Sequence, residues 1–254
     1  MSPLFIAHGS PMLAIEDNEY TQFLARTGAG LKPNAIVIFT AHWETELTTI
    51  SSKDDIYDTI YDFYGFPDEL YEVTYPAKGS AKVAALVSQL LDAKGIKTEF
   101  DTSRGLDHGS WTMLKHMFPK ADVPVVQVSV NPYRSVEEQY RIGEALRDLA
   151  DQHILVIGSG VTVHNLRVVK WGQQDAEPWA VEFDDWLIDK IQAHDLNSLF
   201  QYDTLAPHAK AAVPRAEHFV PLYIALGSGK SDSTPKVIHR RYEMGNLSYL
   251  SYQF

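Results

Sequence analysis

The chain has 254 residues, 45% of them hydrophobic and 22% charged, a balance that suits a soluble globular protein able to bury a large core. It contains no cysteine, which excludes disulfides, thiolate metal sites and a cysteine nucleophile, so any metal must be held by nitrogen and oxygen. A formal charge of −11 at pH 7 argues against nucleic acid as a partner, because a phosphate backbone needs a cationic face.

The N-terminus, Met1-Ser2-Pro3-Leu4-Phe5-Ile6-Ala7-His8, has neither the basic start nor the long apolar run of a signal peptide. No stretch approaches the ~20 apolar residues of a membrane span, so the expectation is a cytoplasmic protein with no membrane partner. Apolar runs predict strands over 4–7, 35–41, 47–51, 124–130, 154–158 and 235–239. Helical periodicity predicts helices over 17–27, 79–94, 135–151, 179–193 and 218–226. The helix at 79–94 is the best marked: Ser80 is a ready N-cap, an apolar stripe from Ala81 to Leu91 follows, and Gly95 stops it. This alternation predicts an α/β fold, a layered α/β/α sandwich around a central mixed, mostly parallel sheet. With no repeat, low-complexity tract or linker, residues 1–254 read as a single catalytic domain.

Between the second pair of strands and that helix, residues 52–78 hold Tyr57, Tyr61, Phe63, Tyr64, Phe66, Tyr71 and Tyr75, broken by Gly65-Phe66-Pro67. A long aromatic loop needs a reason to stay ordered. A lid or pocket wall for a flat ligand and a subunit interface explain it equally well, so a homo-oligomer stays open.

Two strands run straight into a histidine. Leu4-Phe5-Ile6-Ala7 delivers His8, and Ala35-Ile36-Val37-Ile38-Phe39-Thr40-Ala41 delivers His42. In open α/β sheets the carboxyl ends of the strands form the binding crevice, so two imidazoles there point to a divalent metal more than to two strand caps. Three more histidines fall in suggestive frames. His108 lies in a glycine-flanked loop entering a helix, Gly105-Leu106-Asp107-His108-Gly109-Ser110-Trp111; His164 follows the strand at 154–158 and the turn Gly158-Ser159-Gly160; His218 begins the apolar helix Phe219-Val220-Pro221-Leu222. By contrast, His116 and His194 lie inside helical patterns, and His153, His208 and His239 have no special frame, so no role is expected of those five.

Some motifs are decoys. Gly227-Ser228-Gly229-Lys230-Ser231 resembles the end of a P-loop, but the required first glycine is replaced by Ile224. Gly158-Ser159-Gly160 lacks the third glycine of a dinucleotide fingerprint, and neither Ser10 nor Ser159 sits in a nucleophile elbow.

Taken together, His8-Gly9-Ser10-Pro11, Ala41-His42-Trp43, the 105–111 segment and His164-Asn165-Leu166-Arg167 resemble class III extradiol ring-cleaving dioxygenases. The likeness is to their small single-domain branch, the DOPA dioxygenases, and Glu217-His218-Phe219-Val220-Pro221-Leu222 matches a fifth segment of it. The resemblance runs in order from residue 4 to about 250. It implies a non-haem Fe(II) with open positions for a catechol and O₂. It maps metal ligands onto His8 and His42, with the third place offered by both Glu217 and His218, of which His218 is the match to this branch. His164 matches the active-site base and is a possible fourth ligand, while His108 matches a histidine near the O₂ and substrate pocket. An all-histidine set also suits Zn²⁺, so the purified protein is expected to carry zinc although activity would need Fe(II). The implied reaction inserts O₂ into a catechol such as DOPA, opening the ring beside the diol to a muconic semialdehyde. The histidines alone would equally serve a zinc-dependent hydrolase or a non-catalytic metal-binding protein.

Overall fold

The computed structural model describes residues 1–173 and 175–254. Leu4–Ala7 (β1), Ala35–Glu44 (β2), Thr48–Ser51 (β3), Thr98–Asp101 (β4), Val125–Val130 (β5), Ile154–Gly160 (β6) and Lys236–His239 (β7) are strands of one sheet. Tyr242–Glu243 (β8) and Leu247–Ser248 (β9) form a separate antiparallel pair, and Ser251–Gln253 (β10) returns to the main sheet. The eight-stranded sheet runs in the order β4-β3-β5-β2-β6-β1-β10-β7. Its central strands β5, β2, β6 and β1 are parallel, while β3 on β5, β10 on β1 and β7 on β10 are antiparallel. The central strands therefore share one carboxyl edge, where the binding crevice of such a sheet is expected.

The pleat explains the layers. Ile36 and Ile38 of β2 point to one face, where α1 (Glu19–Ala29) and α3 (His108–Met117) cover them with Tyr20, Leu24, Trp111 and Leu114. Val37 and Phe39 point to the other, packing with α2 (Ala81–Asp92), α4 (Val136–Ala145) and α9 (Val220–Ser228). Beside them α5 (Pro178–Gln192) closes a further apolar cluster through Phe183 and Leu187. Three single-turn helices, α6 (Leu196–Leu199), α7 (Tyr202–Leu205) and α8 (Ala209–Ala212), lead from α5 toward α9. The α/β/α sandwich expected from the sequence is thus observed.

Several expected elements are redrawn. The helix expected at 135–151 ends at Ala145; a 3-10 turn, Arg147–Gln152, replaces its last part and stops at His153, whose left-handed φ of 56° feeds the chain into β6. The two-residue strands β8 and β9 had no sequence signal, and neither did two strands of the main sheet. The edge strand β4 has half-exposed residues and no apolar run, and β10 is three residues long and exists only because β1 and β7 pair with it. Segment 52–78 is less open than expected. Tyr57, Leu70 and Tyr75 are buried in the core, and Asp68–Glu72 forms a 3-10 turn. Among the described residues no helix is long and apolar enough to cross a membrane.

Candidate metal centre

His8, His42 and His218 converge at the carboxyl edge of the sheet. Their ring centroids form a near-equilateral triangle, 4.8 Å between His8 and His42, 5.1 Å between His8 and His218 and 4.9 Å between His42 and His218. One nitrogen from each lies within 4.8 Å of the other two. Each arrives by a different local device. His8 follows β1 directly. His42 lies inside β2, not after its end as expected: the ladder to β5 is regular up to Phe39–Val128 and resumes at Glu44–Val130. The irregular stretch between frees His42 to turn toward the site, as bulges beside active sites do.

His218 is placed by the segment set aside as a decoy. Gly158, Ser159 and Gly160 are strand residues of β6, not a turn. A Cβ on Gly160 would fall 2.2 Å from the His218 carbonyl oxygen, and one on Gly158 at the same distance from that of Pro221. Only glycines let the backbone before α9 lie this close to the strand, and the Val161 N–H then donates to His218 O at 2.7 Å. Ser159, between them, points to the opposite face. Its hydroxyl donates to Gly109 O and lies 3.0 Å from His8 Nδ1.

These contacts fix the tautomers. The Ser159 proton is committed to Gly109 O, so Ser159 accepts from His8 Nδ1–H, and the Nε2 of neutral His8 is bare. Glu217 Oε1 sits 3.1 Å from His218 Nδ1, and Asp62 Oδ2 3.3 Å from His42 Nδ1. An ionised carboxylate only accepts, so those two Nε2 atoms are bare as well. The Nε2 atoms of His8 and His42 are 3.1 Å apart, two lone pairs face to face with no proton to share. That is repulsive unless a cation lies between them, and the spacing lets both reach one ion at the ~2.0–2.1 Å of a metal–imidazole bond. The donor set fits a divalent metal, with each ligand held from behind by an oxygen. Of the pair Glu217 and His218, it is His218 that joins His8 and His42, while Glu217 stands behind it.

His164 stacks on His218, centroids 3.8 Å apart and planes 12° from parallel. Its backbone N–H is anchored on Ala212 O at 3.0 Å. Because imidazole lone pairs lie in the ring plane, two parallel rings at this spacing do not aim at one point. His108, first residue of α3, lies against His42 with centroids 4.0 Å apart and is 5.7 Å from His8. Phe63, from the aromatic segment, meets the His108 ring edge-on at 5.7 Å, whereas Tyr64 points to solvent.

Burial, reinforced by neighbouring imidazoles, holds His8 and His218 well below the ordinary histidine value. It brings His42 down to about 3 and His164 to about 4. All four are neutral at pH 7, the form that binds metal or accepts a proton. Their folded-state values lie below the ordinary 6.5, so the unfolded chain binds more protons in acid. The stability this contributes is complete above pH ~6.5 and is lost as pH falls toward about 4. Denaturant midpoints of the metal-free protein should therefore fall between pH 7.5 and 4.5, and more shallowly in His164→Gln. Equal slopes would contradict the assignment. Removing the acceptor behind His8 in Ser159→Ala should weaken metal affinity ~10–100-fold, measurable by competition with a chelating dye.

Sequence reasoning did not single out Asp62, and it treated Ser159 only as a rejected nucleophile. Asp62 carried one faint mark, an acid between two aromatics in Tyr61-Asp62-Phe63; Ser159 carried none, since its partners come from β1 and α3. Outside the centre, the Nε2 of His116 lies 2.6 Å from Leu13 O and that of His208 2.8 Å from Glu182. His153, His194 and His208 hold left-handed turns, and His239 stacks on Phe23.

Residues 3–254 match the family model described as the catalytic LigB subunit of aromatic ring-opening dioxygenase. The chain belongs to that family. Among its curated relatives, the 4,5-DOPA dioxygenase extradiol of Beta vulgaris is 40% identical over 98% of this chain and 95% of its own length. The protein of the same name from Escherichia coli K12 is 36% identical over 100% of this chain and 94% of its own. An uncharacterized Escherichia coli K12 protein of known crystal structure is 34% identical, superposes with a TM-score of 0.85 and covers 100% of this chain and 99% of that one. Membership makes the chain an extradiol-type ring-opening dioxygenase.

Proposed function

We propose that this protein is a 4,5-DOPA dioxygenase-like, Fe(II)-dependent enzyme that opens a catechol such as DOPA beside its diol, giving a muconic semialdehyde, and that 1–254 is one catalytic domain. The observation that carries the reading is the set of three bare Nε2 atoms at the carboxyl edge of the sheet. In this reading His8, His42 and His218 hold the metal, with Ser159 and Glu217 fixing the first and last. When bound, Fe(II) acidifies the catechol hydroxyls and gives electrons a route from the ring to O₂.

The chain's own residues do the rest. His164 is neutral at pH 7 and buried beside His218, so it accepts the second catechol proton and is not a fourth ligand. His108, on the other side of His42, hydrogen-bonds the oxygen side of the pocket and supplies a proton there. His8, His108 and His218 are almost fully buried, which keeps water away from the reacting atoms. Phe63 gives the flat ring an apolar wall next to His108. The zinc-dependent hydrolase finds no support, since the curated relatives above are named as dioxygenases. We place the protein in the cytoplasm and assign its exposed Tyr64 to a contact between copies of the chain in a homo-oligomer.

An oxygen electrode tests the reading. Protein loaded with Fe(II) under anaerobic conditions should consume O₂ only when a catechol is added, with a yellow product. Ester hydrolysis without O₂ uptake from any catechol would refute it.

A further inference from the structure

The Asp62 carboxylate touches two of the site's imidazoles at once. Its Oδ2 lies 3.3 Å from His42 Nδ1 and 2.9 Å from His108 Nδ1. Its Oδ1 accepts the backbone N–H of His108 at 2.9 Å. The carboxylate is thus docked on the first turn of α3, whose N-cap residue Asp107 makes no capping hydrogen bond of its own. A negative charge at a helix N-terminus is favoured by the exposed N–H groups and the dipole. Burial alone would push the Asp62 carboxyl up, but the hydrogen bonds and charge of His108 outweigh it and hold it at about 2.

We propose that Asp62 is a positioning residue that holds a metal ligand and a proton-handling histidine, His42 and His108, as one unit. The inference rests on the dioxygenase reading of the same site. Because an ionised carboxylate offers only lone pairs, both rings keep their proton on Nδ1 and turn Nε2 away from Asp62. For His42 that direction is toward His8 Nε2 at 3.1 Å. For His108 it leaves Nε2 to face the pocket, where it takes up a proton and passes it to oxygen while the Asp62 carboxylate balances the charge. The two rings sit 4.0 Å apart and tilted by 52°, so a carboxylate between their Nδ1 atoms sets the angle of each against the other. The His108 Nδ1 is buried, lies off the ideal hydrogen-bond axis to Asp62 and has no other polar partner among the described residues. Without Asp62 that ring has nothing to choose its tautomer.

The arrangement also gives segment 52–78 a role. Asp62 and Phe63 are neighbours on it: the first grips both rings, the second packs on the His108 edge. The aromatic segment is anchored into the core by Tyr57 and Tyr75 on either side, through Ser51 at 2.7 Å and Phe118 O at 3.0 Å. It therefore acts as a fixed arm delivering Asp62, not as a free lid.

The test uses Asp62→Asn, which keeps the shape and the acceptor for the His108 N–H but loses the charge; Asp62→Ser, which removes both carboxylate oxygens, is the second variant if the asparagine variant fails to fold. Zinc affinity is measured on the metal-free protein by dye competition, and the visible spectrum is recorded after cobalt loading. Zinc should bind ~10–100-fold more weakly than to wild type, with a changed cobalt spectrum. His108→Gln should leave zinc affinity within about twofold, because His108 is not a ligand. At saturating Fe(II), where excess metal makes up for weaker binding at His42, adding Asp62→Asn to His108→Gln should cost kcat little beyond the single changes, since the remaining effect of Asp62 runs through His108. A residue that only pins the loop would lower Tm while leaving zinc affinity and the cobalt spectrum of folded protein unchanged. That result, or kcat losses that multiply in the double variant, overturns the proposal. If wild-type protein opened no catechol, the dioxygenase reading would fall, and the zinc and cobalt measurements would still decide whether Asp62 holds His42.

Discussion

Replacing His164 with alanine should leave metal content nearly intact and lower turnover by ~10²–10⁴-fold, the usual effect of losing a proton-transfer group. Replacing His8 with alanine should empty the site and abolish turnover altogether. The contrast follows from geometry. His8 Nε2 faces His42 Nε2 at 3.1 Å, with its other nitrogen committed to Ser159, so it has one direction in which to act. His164 instead lies flat on His218, and its lone pairs run in a plane parallel to that ring, 3.8 Å away. The lone pairs of His164 therefore do not converge with those of His218 on one point. Metal analysis of the two purified variants, together with oxygen uptake after Fe(II) loading, checks both halves. Loss of metal from His164→Ala would make it a ligand and leave the site without its base.

Metal identity should govern activity as sharply as the histidines do. Three neutral imidazoles accept Fe(II) or Zn²⁺, and zinc binds more tightly in the divalent series. Protein purified in air should therefore carry zinc or oxidised iron and turn over poorly. Stripping the metal and reloading Fe(II) without oxygen should restore ring opening, whereas reloading zinc should give none, because zinc has no second oxidation state through which electrons could leave a catechol for O₂. The measurement is catechol-dependent O₂ consumption by each form at matched metal content. Equal consumption by the zinc form would rule out an iron mechanism.

Much of the fold was legible because burial writes itself into local pattern. The runs ending at His8 and His42 are continuous and β-branched since their strands are covered on both faces, and the sheet indeed pairs them through β6. The helix at 79–94 carried its cap, stripe and glycine stop, and Ala81–Asp92 forms inside those limits. Strand β4 was not legible, because an edge strand with half-exposed residues has no apolar run to read. The C-terminal strand β10 was not, because three residues carry no period.

For the site, the sequence by itself determined which imidazoles were available and that no thiolate competes with them. The position of His8 just after a buried strand was also written locally, whereas His42, read as following a strand, lies within one. What only the tertiary structure decided is which nitrogen of each ring is free. For His8, His42 and His108 that depends on acceptors brought from elsewhere in the chain, Ser159 and Asp62; for His218 it depends on packing that turns His218, and not Glu217, to the site. The glycines of 158–160 read as an incomplete dinucleotide fingerprint because their partner, the backbone at His218, lies on another element. A ring's tautomer is set by the atom it faces; for His8, His42 and His108 that atom is brought by how strands and helices cross, whereas His218 is faced by its own neighbour Glu217.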